Sequence, residues 1–103
     1  MTFETAAAFR AGVRAAIYRA RPSAILFAKI AREYAEVETV EPEMEDVERA
    51  LNFLVLKGDV SAALDHDRLH AVFQITAQGI LEHERHAHDD LARYAQMKKD
   101  GVV

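Results

Sequence analysis

Histidines and carboxylates are the side chains of this 103-residue chain that could bind a metal ion or transfer protons. His83 and His86 stand three residues apart, a spacing that puts both imidazoles on one face of a helix. Two histidines cannot complete a tetrahedral metal site, so further ligands would have to come from Glu82, Asp89 or a second subunit. The alternative is that these histidines are solvated surface residues, and we predict no metal site.

Nucleophilic chemistry has little support in the sequence. The chain has no cysteine, which excludes disulfides and thiolate catalysis. Its serines, Ser23 and Ser61, stand in no nucleophile motif, and no glycine-rich phosphate loop is present. We therefore predict that the protein is not an enzyme and uses no cofactor.

Composition and charge indicate one folded domain over residues 1–103, because half of the residues are apolar and 29% are charged. Residues 1–32 hold six basic residues and one acid, a net charge of +5, whereas residues 33–56 hold eight acids and one arginine, a net charge of −7. The basic part could bind phosphate, or it could pack against the acidic part. No apolar run approaches the length of a membrane span or a signal peptide, so we predict a cytoplasmic protein without membrane contact.

Apolar periodicity predicts three helices in the first half of the chain. The first spans about Thr5 to Ala20, the second follows a break at Pro22 and Ser23, and the third begins near Pro42 and ends at Gly58. The expected buried faces are Phe9, Val13, Ala16, Ile17 and Ala20; then Leu26, Phe27, Ile30, Tyr34 and Val37; then Val47, Ala50, Leu51 and Leu54.

Alternating residues after Gly58 predict a β-hairpin with a polar tip at residues 65–68. Thr76 is suited to cap a last helix over residues 76–99. Together these elements predict an α+β fold that is mostly α. The residues expected on one face of the hairpin are Val60, Ala62, Leu64, Leu69, Ala71, Phe73 and Ile75, and those on the last helix are Ile80, Leu81, Ala87, Leu91 and Tyr94.

Three segments carry a resemblance to a known superfamily: Val47–Leu54, Lys57–Val60 and Ile75–Gly79. With them, residues 5–85 resemble the winged helix-turn-helix superfamily, which includes MarR, PadR and ArsR-type regulators and many small phage proteins. The resemblance implies three helices, a β-hairpin wing and a C-terminal helix. It also implies a small transcriptional regulator that binds double-stranded DNA as a homodimer, with the third helix reading the DNA.

The start of the third helix departs from that pattern because it carries Glu43, Glu45, Asp46 and Glu48. Carboxylates there repel phosphate, although they also stabilise a helix without any partner. The residues that remain as candidates for DNA contact are Arg49, Asn52, Lys57, Arg68, Arg10, Arg14 and Arg21. The arginines of the first helix could instead pack against the acidic second and third helices.

A second function is compatible with the same elements. The third helix is apolar on more faces than one core requires, so Phe53 and Leu56 are candidates for protein contact. Leu91 and Tyr94 extend the apolar face of the last helix and are candidates for a dimer interface. The alternative prediction is thus a winged helix, possibly of phage origin, whose acidic surface binds a protein with a basic groove.

Overall fold

Four helices and three strands make up the described part of the chain. The computed structural model describes residues 3–63, 71–99 and 101, with side chains described for residues 5–63, 71–86, 98, 99 and 101. The elements are α1 (Phe3–Arg19), β1 (Ile25–Leu26), α2 (Phe27–Glu38), α3 (Met44–Lys57), β2 (Val60–Ala63), β3 (Val72–Ile75) and α4 (Ala77–Lys99). The predicted α+β class with a majority of helix is confirmed. No helix in these ranges is long and apolar enough to cross a membrane.

The three strands form one antiparallel sheet in the order β1, β3, β2. Val60 pairs with Ile75 and Ala62 with Phe73, which is the expected hairpin. The short strand β1 was not predicted. Leu26, expected on the second helix, belongs to β1 and is the N-cap of α2, without a side-chain hydrogen bond.

The core lies between α1, α2, α3 and one face of the sheet. The expected apolar faces of α1 and α3 are buried, except that Ala20 is half-buried and lies just beyond the end of α1 at Arg19. Phe27 and Ile30 of α2 are buried too. Val37 contradicts the prediction, because 57% of its surface is exposed. At about 100° per residue it lies only about 20° around the helix from the buried Ile30 and shares the expected face, but it stands in the last turn of α2.

Left-handed residues end the two central helices. Gly58 has φ 94° and donates its N–H to the carbonyls of Leu54 and Val55, so the predicted end of α3 is confirmed. α3 begins two residues later than expected, at Met44, because Glu43 is extended and its carbonyl accepts the first helical hydrogen bonds. Pro42 therefore precedes the helix and is not part of it.

Thr76 joins the start of α4 to the end of α3. Its hydroxyl donates to the Gly58 carbonyl at 2.6 Å and accepts the N–H of Gly79 at 3.0 Å, which confirms the predicted cap. The Gln78 side chain donates to the Lys57 carbonyl at 2.8 Å. Gly79 lies so close to residue 59 that a Cβ there would overlap the carbonyl oxygen of Asp59. These contacts hold α4 directly against the C-terminus of α3.

Candidate interaction surface

The outward face of α3 changes from acidic to apolar along the helix. Glu45, Glu48, Asn52 and Leu56 follow one another at intervals of three or four residues and share that face. Leu56 is 89% exposed. Val55 is also exposed, on the side of this face that turns toward the sheet. We call these five residues, in the order Glu45, Glu48, Asn52, Val55 and Leu56, the α3 outer face.

A groove of about 620 Å³ separates the α3 outer face from the sheet. Ala62 and Phe73 are opposite each other in the β2–β3 pairing and both line it. Ala62 is exposed, whereas Phe73 is buried. The residues lining the groove are Phe27, Glu48, Leu51, Asn52, Val55, Leu56, Ala62, Ala71 and Phe73.

Charge in and beside the groove is negative. Glu48 is the one charged side chain among the described lining residues. Glu43 and Glu45 are exposed at the N-terminal end of α3, one turn away from it. Asp46 accepts a hydrogen bond from Arg49 at 3.0 Å within the helix. The groove thus has an apolar floor and an acidic end.

Arg14, a predicted DNA contact, is buried and cannot take that role. Only 7% of its surface is exposed, and its Nη1 lies 3.2 Å from Oδ2 of Asp59, which is completely buried. Lys57 approaches the same oxygen at 3.6 Å, and Gln78 donates to Oδ1 at 3.0 Å. Reaching a phosphate would require Arg14 to abandon a buried carboxylate, which is strongly unfavourable.

Two further predicted DNA contacts, Arg10 and Arg21, lie against aromatic rings. The guanidinium of Arg10 lies 4.0 Å from the ring centre of Phe53, which joins α1 to α3. Arg21 is exposed and lies 3.6 Å from the ring centre of Tyr18. The guanidinium of Arg10 therefore already has an aromatic partner. It covers one side of Phe53, a predicted interaction residue whose surface is 45% exposed.

The remaining DNA candidates differ in their surroundings. Arg49 and Asn52 are exposed on α3, and Arg49 is held by Asp46. Lys57 is half-exposed and lies between the carboxylates of Asp59 and Glu82. Arg68 lies outside the described residues. Leu91 and Tyr94 belong to α4, but their side chains are outside those described.

His83 contacts α1 through an aromatic stack. Its imidazole lies 4.0 Å, centre to centre, from the ring of Tyr18, whose hydroxyl donates to Glu84 at 3.3 Å. Among the residues whose side chains are described, no group of three or more His, Asp and Glu lies close enough to hold a metal ion. Burial lowers the pKa of His83, and the positive charges of Arg14, His86, Arg19 and Arg21 lower it further, in that order.

The sequence patterns did not identify Asp59, whose buried carboxylate contacts Arg14, Lys57 and Gln78. The local signal for Asp59 is its position directly after Gly58, which places a carboxylate between the end of α3 and the start of β2. Its partner Arg14 lies 45 residues away, which local patterns do not reveal.

Comparison of the chain with protein-family models and with curated proteins finds no match. The function is therefore inferred from the geometry of the described residues. The surface used for this inference is the α3 outer face with its groove.

Proposed function

We propose that this protein is a winged helix that binds another protein through the α3 outer face and the adjacent groove. The order of elements, α1, β1, α2, α3, β2, β3, α4, supports the winged-helix assignment. The sheet order β1, β3, β2 supports it too, because β2 is then an edge strand, and it contacts α3. The short β1 closes the sheet on the side away from β2, as expected of such a domain.

The exposure of Leu56 is the observation that carries the proposal. In a DNA-reading winged helix this face would meet base edges and phosphates, which are recognised by donors and cations. A leucine that is 89% exposed gains little there. Against a protein, this side chain and the exposed Val55 and Ala62 beside it would be removed from water, which stabilises a complex.

DNA binding by a dimeric regulator is the second candidate. The exposed Arg49 and Asn52 on α3 favour it, since arginine can pair with guanine and asparagine with adenine. The burial of Arg14 removes one cation from that function, and the acids at the start of α3 oppose it. We place it second for these two reasons.

The test measures both candidates on the same protein. Fluorescence anisotropy with labelled random-sequence duplex DNA, at low and then moderate salt, should detect no binding that requires Arg49 or Asn52. Steep salt dependence together with loss of binding in the Arg49→Ala/Asn52→Ala variant would support the DNA regulator instead.

Protein binding is tested by selecting displayed random peptides on the wild-type protein. Peptides that lose binding to Leu56→Gln should be recovered. The matched control is Leu81→Gln, because Leu81 is also a largely exposed leucine but lies on α4. If every recovered peptide binds both variants as well as the wild type, the α3 outer face is not the binding site and the proposal is wrong.

A further inference from the structure

Three apolar side chains are exposed where α2 leads into α3. Val37, Val40 and Met44 lie within eight residues of one another along the chain. Val40 is 64% exposed and Val37 is 57% exposed, so neither contributes its full apolar surface to the core. Single exposed apolar residues are common on protein surfaces, but three in one short segment indicate a contact surface. We call residues 36–44, which run from the last turn of α2 to the start of α3, the α2–α3 corner.

A carboxylate stands directly beside each of these apolar residues along the chain. The pairs are Glu36 and Val37, Val40 and Glu41, and Glu43 and Met44. The three glutamates are exposed, and their side chains form no hydrogen bond or ion pair within the part of the chain that the structure describes. The α2–α3 corner contains four acids and no basic residue.

The backbone of the corner is fixed at both ends. Thr39 has φ 59° and donates its N–H to the Ala35 carbonyl at 2.9 Å, which ends α2. Glu43 is extended, and its carbonyl accepts the first helical hydrogen bonds of α3. Residues 40–42 lie between these two caps. The corner therefore presents its side chains from a framework that needs little further ordering on binding.

We propose that the α2–α3 corner binds a basic segment of another protein. Apolar side chains of that segment cover Val37, Val40 and Met44, and its lysine or arginine side chains pair with the glutamates beside them. This site goes beyond the function proposed above, because residues 36–44 do not belong to the α3 outer face and binding here does not require Leu56.

Apolar contact supplies the attraction in this interaction. Glutamates near a helix end are stable in water and need no partner. Exposed valine and methionine side chains, in contrast, gain free energy when a partner removes them from water. The inference therefore depends on the exposure of the apolar residues, and the charge decides which partner is accepted.

The arrangement of the corner makes that partner basic. A surface that covers Val40 also removes water from Glu41, the next residue. A carboxylate that loses water without gaining a cation or a donor costs free energy. Acidic or purely apolar partners would incur this cost at each pair, whereas lysine or arginine replaces the lost hydration with charge-assisted hydrogen bonds. The same carboxylates repel the phosphates of nucleic acids.

The experiment selects displayed random peptides on the full-length protein and measures their affinity for two variants of the corner. Val37→Gln/Val40→Gln removes apolar contacts without adding charge. Glu41→Gln/Glu43→Gln removes two charges and keeps the size of the side chains. Glu43 makes no side-chain cap hydrogen bond to α3, so its replacement removes no cap. Circular dichroism and thermal unfolding verify that each variant is folded.

Three control variants carry the same kinds of change elsewhere. Leu81→Gln replaces an exposed apolar residue of α4, and Glu33→Gln/Glu84→Gln removes two acids outside the corner. Leu56→Gln, which tests the function proposed above, is measured on the same peptides. One further control changes the peptide, because its apolar residues are replaced by serine while its basic residues stay.

We expect to recover peptides that need the corner and that combine lysine or arginine with apolar residues. Fluorescence anisotropy should show binding weakened about 10-fold or more by Val37→Gln/Val40→Gln. Glu41→Gln/Glu43→Gln should weaken it about threefold to 10-fold at low salt and less at high salt. The three control variants should stay within about twofold of the wild type. The serine peptide should lose about 10-fold or more in affinity.

Several outcomes would overturn the inference. Recovery of no peptide that distinguishes the corner variants from the wild type would show that the corner is not a docking site. Corner-dependent peptides without an excess of basic residues would refute the charge of the partner. Full binding by the serine peptide would reduce the interaction to charge attraction. Self-association in analytical ultracentrifugation that Val37→Gln/Val40→Gln abolishes would make a second copy the occupant.

The same measurements separate this inference from the proposed function. Peptides that need Val37 and Val40 but not Leu56 support the corner even if the α3 outer face binds nothing. Peptides that need only Leu56 support the proposed function and contradict the corner as a docking site.

Discussion

Arg14 of α1 and Asp59 at the end of α3 form a buried ion pair, with 3.2 Å between Nη1 and Oδ2. The two residues are 45 positions apart, and Asp59 is also contacted by Gln78 of α4. The pair therefore connects three helices at one point. No described residue accepts a hydrogen bond from the buried Nε of Arg14, and the Asp59 carboxylate is the charged partner that compensates the burial of this guanidinium.

Removing the carboxylate should strongly destabilise the protein. We expect Asp59→Ala to lower the free energy of unfolding by about 3–5 kcal/mol, because Arg14 is left buried without its charged partner. Urea unfolding followed by circular dichroism measures this. The double variant Arg14→Met/Asp59→Leu should recover most of the loss, since neither charge remains in the interior. A double variant no more stable than Asp59→Ala would contradict this account.

Gly79 should not tolerate a side chain. A Cβ there would lie 2.8 Å from Cγ1 of Ile75 and would overlap the Asp59 carbonyl, which belongs to the backbone and cannot rotate away. We expect Gly79→Ala to cost about 1–3 kcal/mol or more in thermal or urea unfolding, even though alanine is the better helix former. The comparison is Gly12→Ala, whose closest neighbour at 2.5 Å is the movable ring of Tyr34. Equal costs would contradict the backbone explanation.

Acidification should weaken the contact between α1 and α4. Because the pKa of His83 is lowered in the folded protein, the unfolded chain binds more protons between that pKa and about 6.5. The contribution of neutral His83 is thus fully present above about pH 6.5 and is lost as the pH falls below it.

His83→Phe keeps an aromatic ring against Tyr18 and removes the titration. The melting temperature of the wild type, relative to His83→Phe, should therefore be constant above about pH 7 and should fall as the pH drops below about 6.5. Thermal unfolding of both proteins across this range measures the difference. Parallel pH profiles would show that His83 does not cause the loss.

Truncation of two leucines of α3 that stand two residues apart should change the free energy of unfolding by very different amounts. Leu54 is 1% exposed, so we expect Leu54→Ala to lower the free energy of unfolding by about 2–5 kcal/mol. Leu56→Ala should change it by less than about 0.5 kcal/mol, because this side chain stands in solvent. Urea unfolding of the two variants measures both. A large loss of unfolding free energy in Leu56→Ala would mean that Leu56 stabilises the fold and is not a site for binding a partner.

Local patterns in the sequence were sufficient for most of the elements. The apolar periodicity identified α1, α3 and their buried faces, and Gly58 and Thr76 marked the end of α3 and the start of α4. The strand β1 escaped prediction, because two residues carry no periodicity and become a strand only by pairing with β3. Val37 was misplaced because it stands in the last turn of α2, where sharing a helical face with Ile30 does not ensure burial.

The sequence by itself determined the helices, the hairpin strands and the acidic start of α3, because these depend on residues within about four positions of one another. Only the tertiary structure decided that Arg14 faces Asp59, that Arg10 covers Phe53 and that Leu56 borders an open groove. The physical reason is that burial of a charge, or exposure of a leucine, depends on which distant elements pack against it.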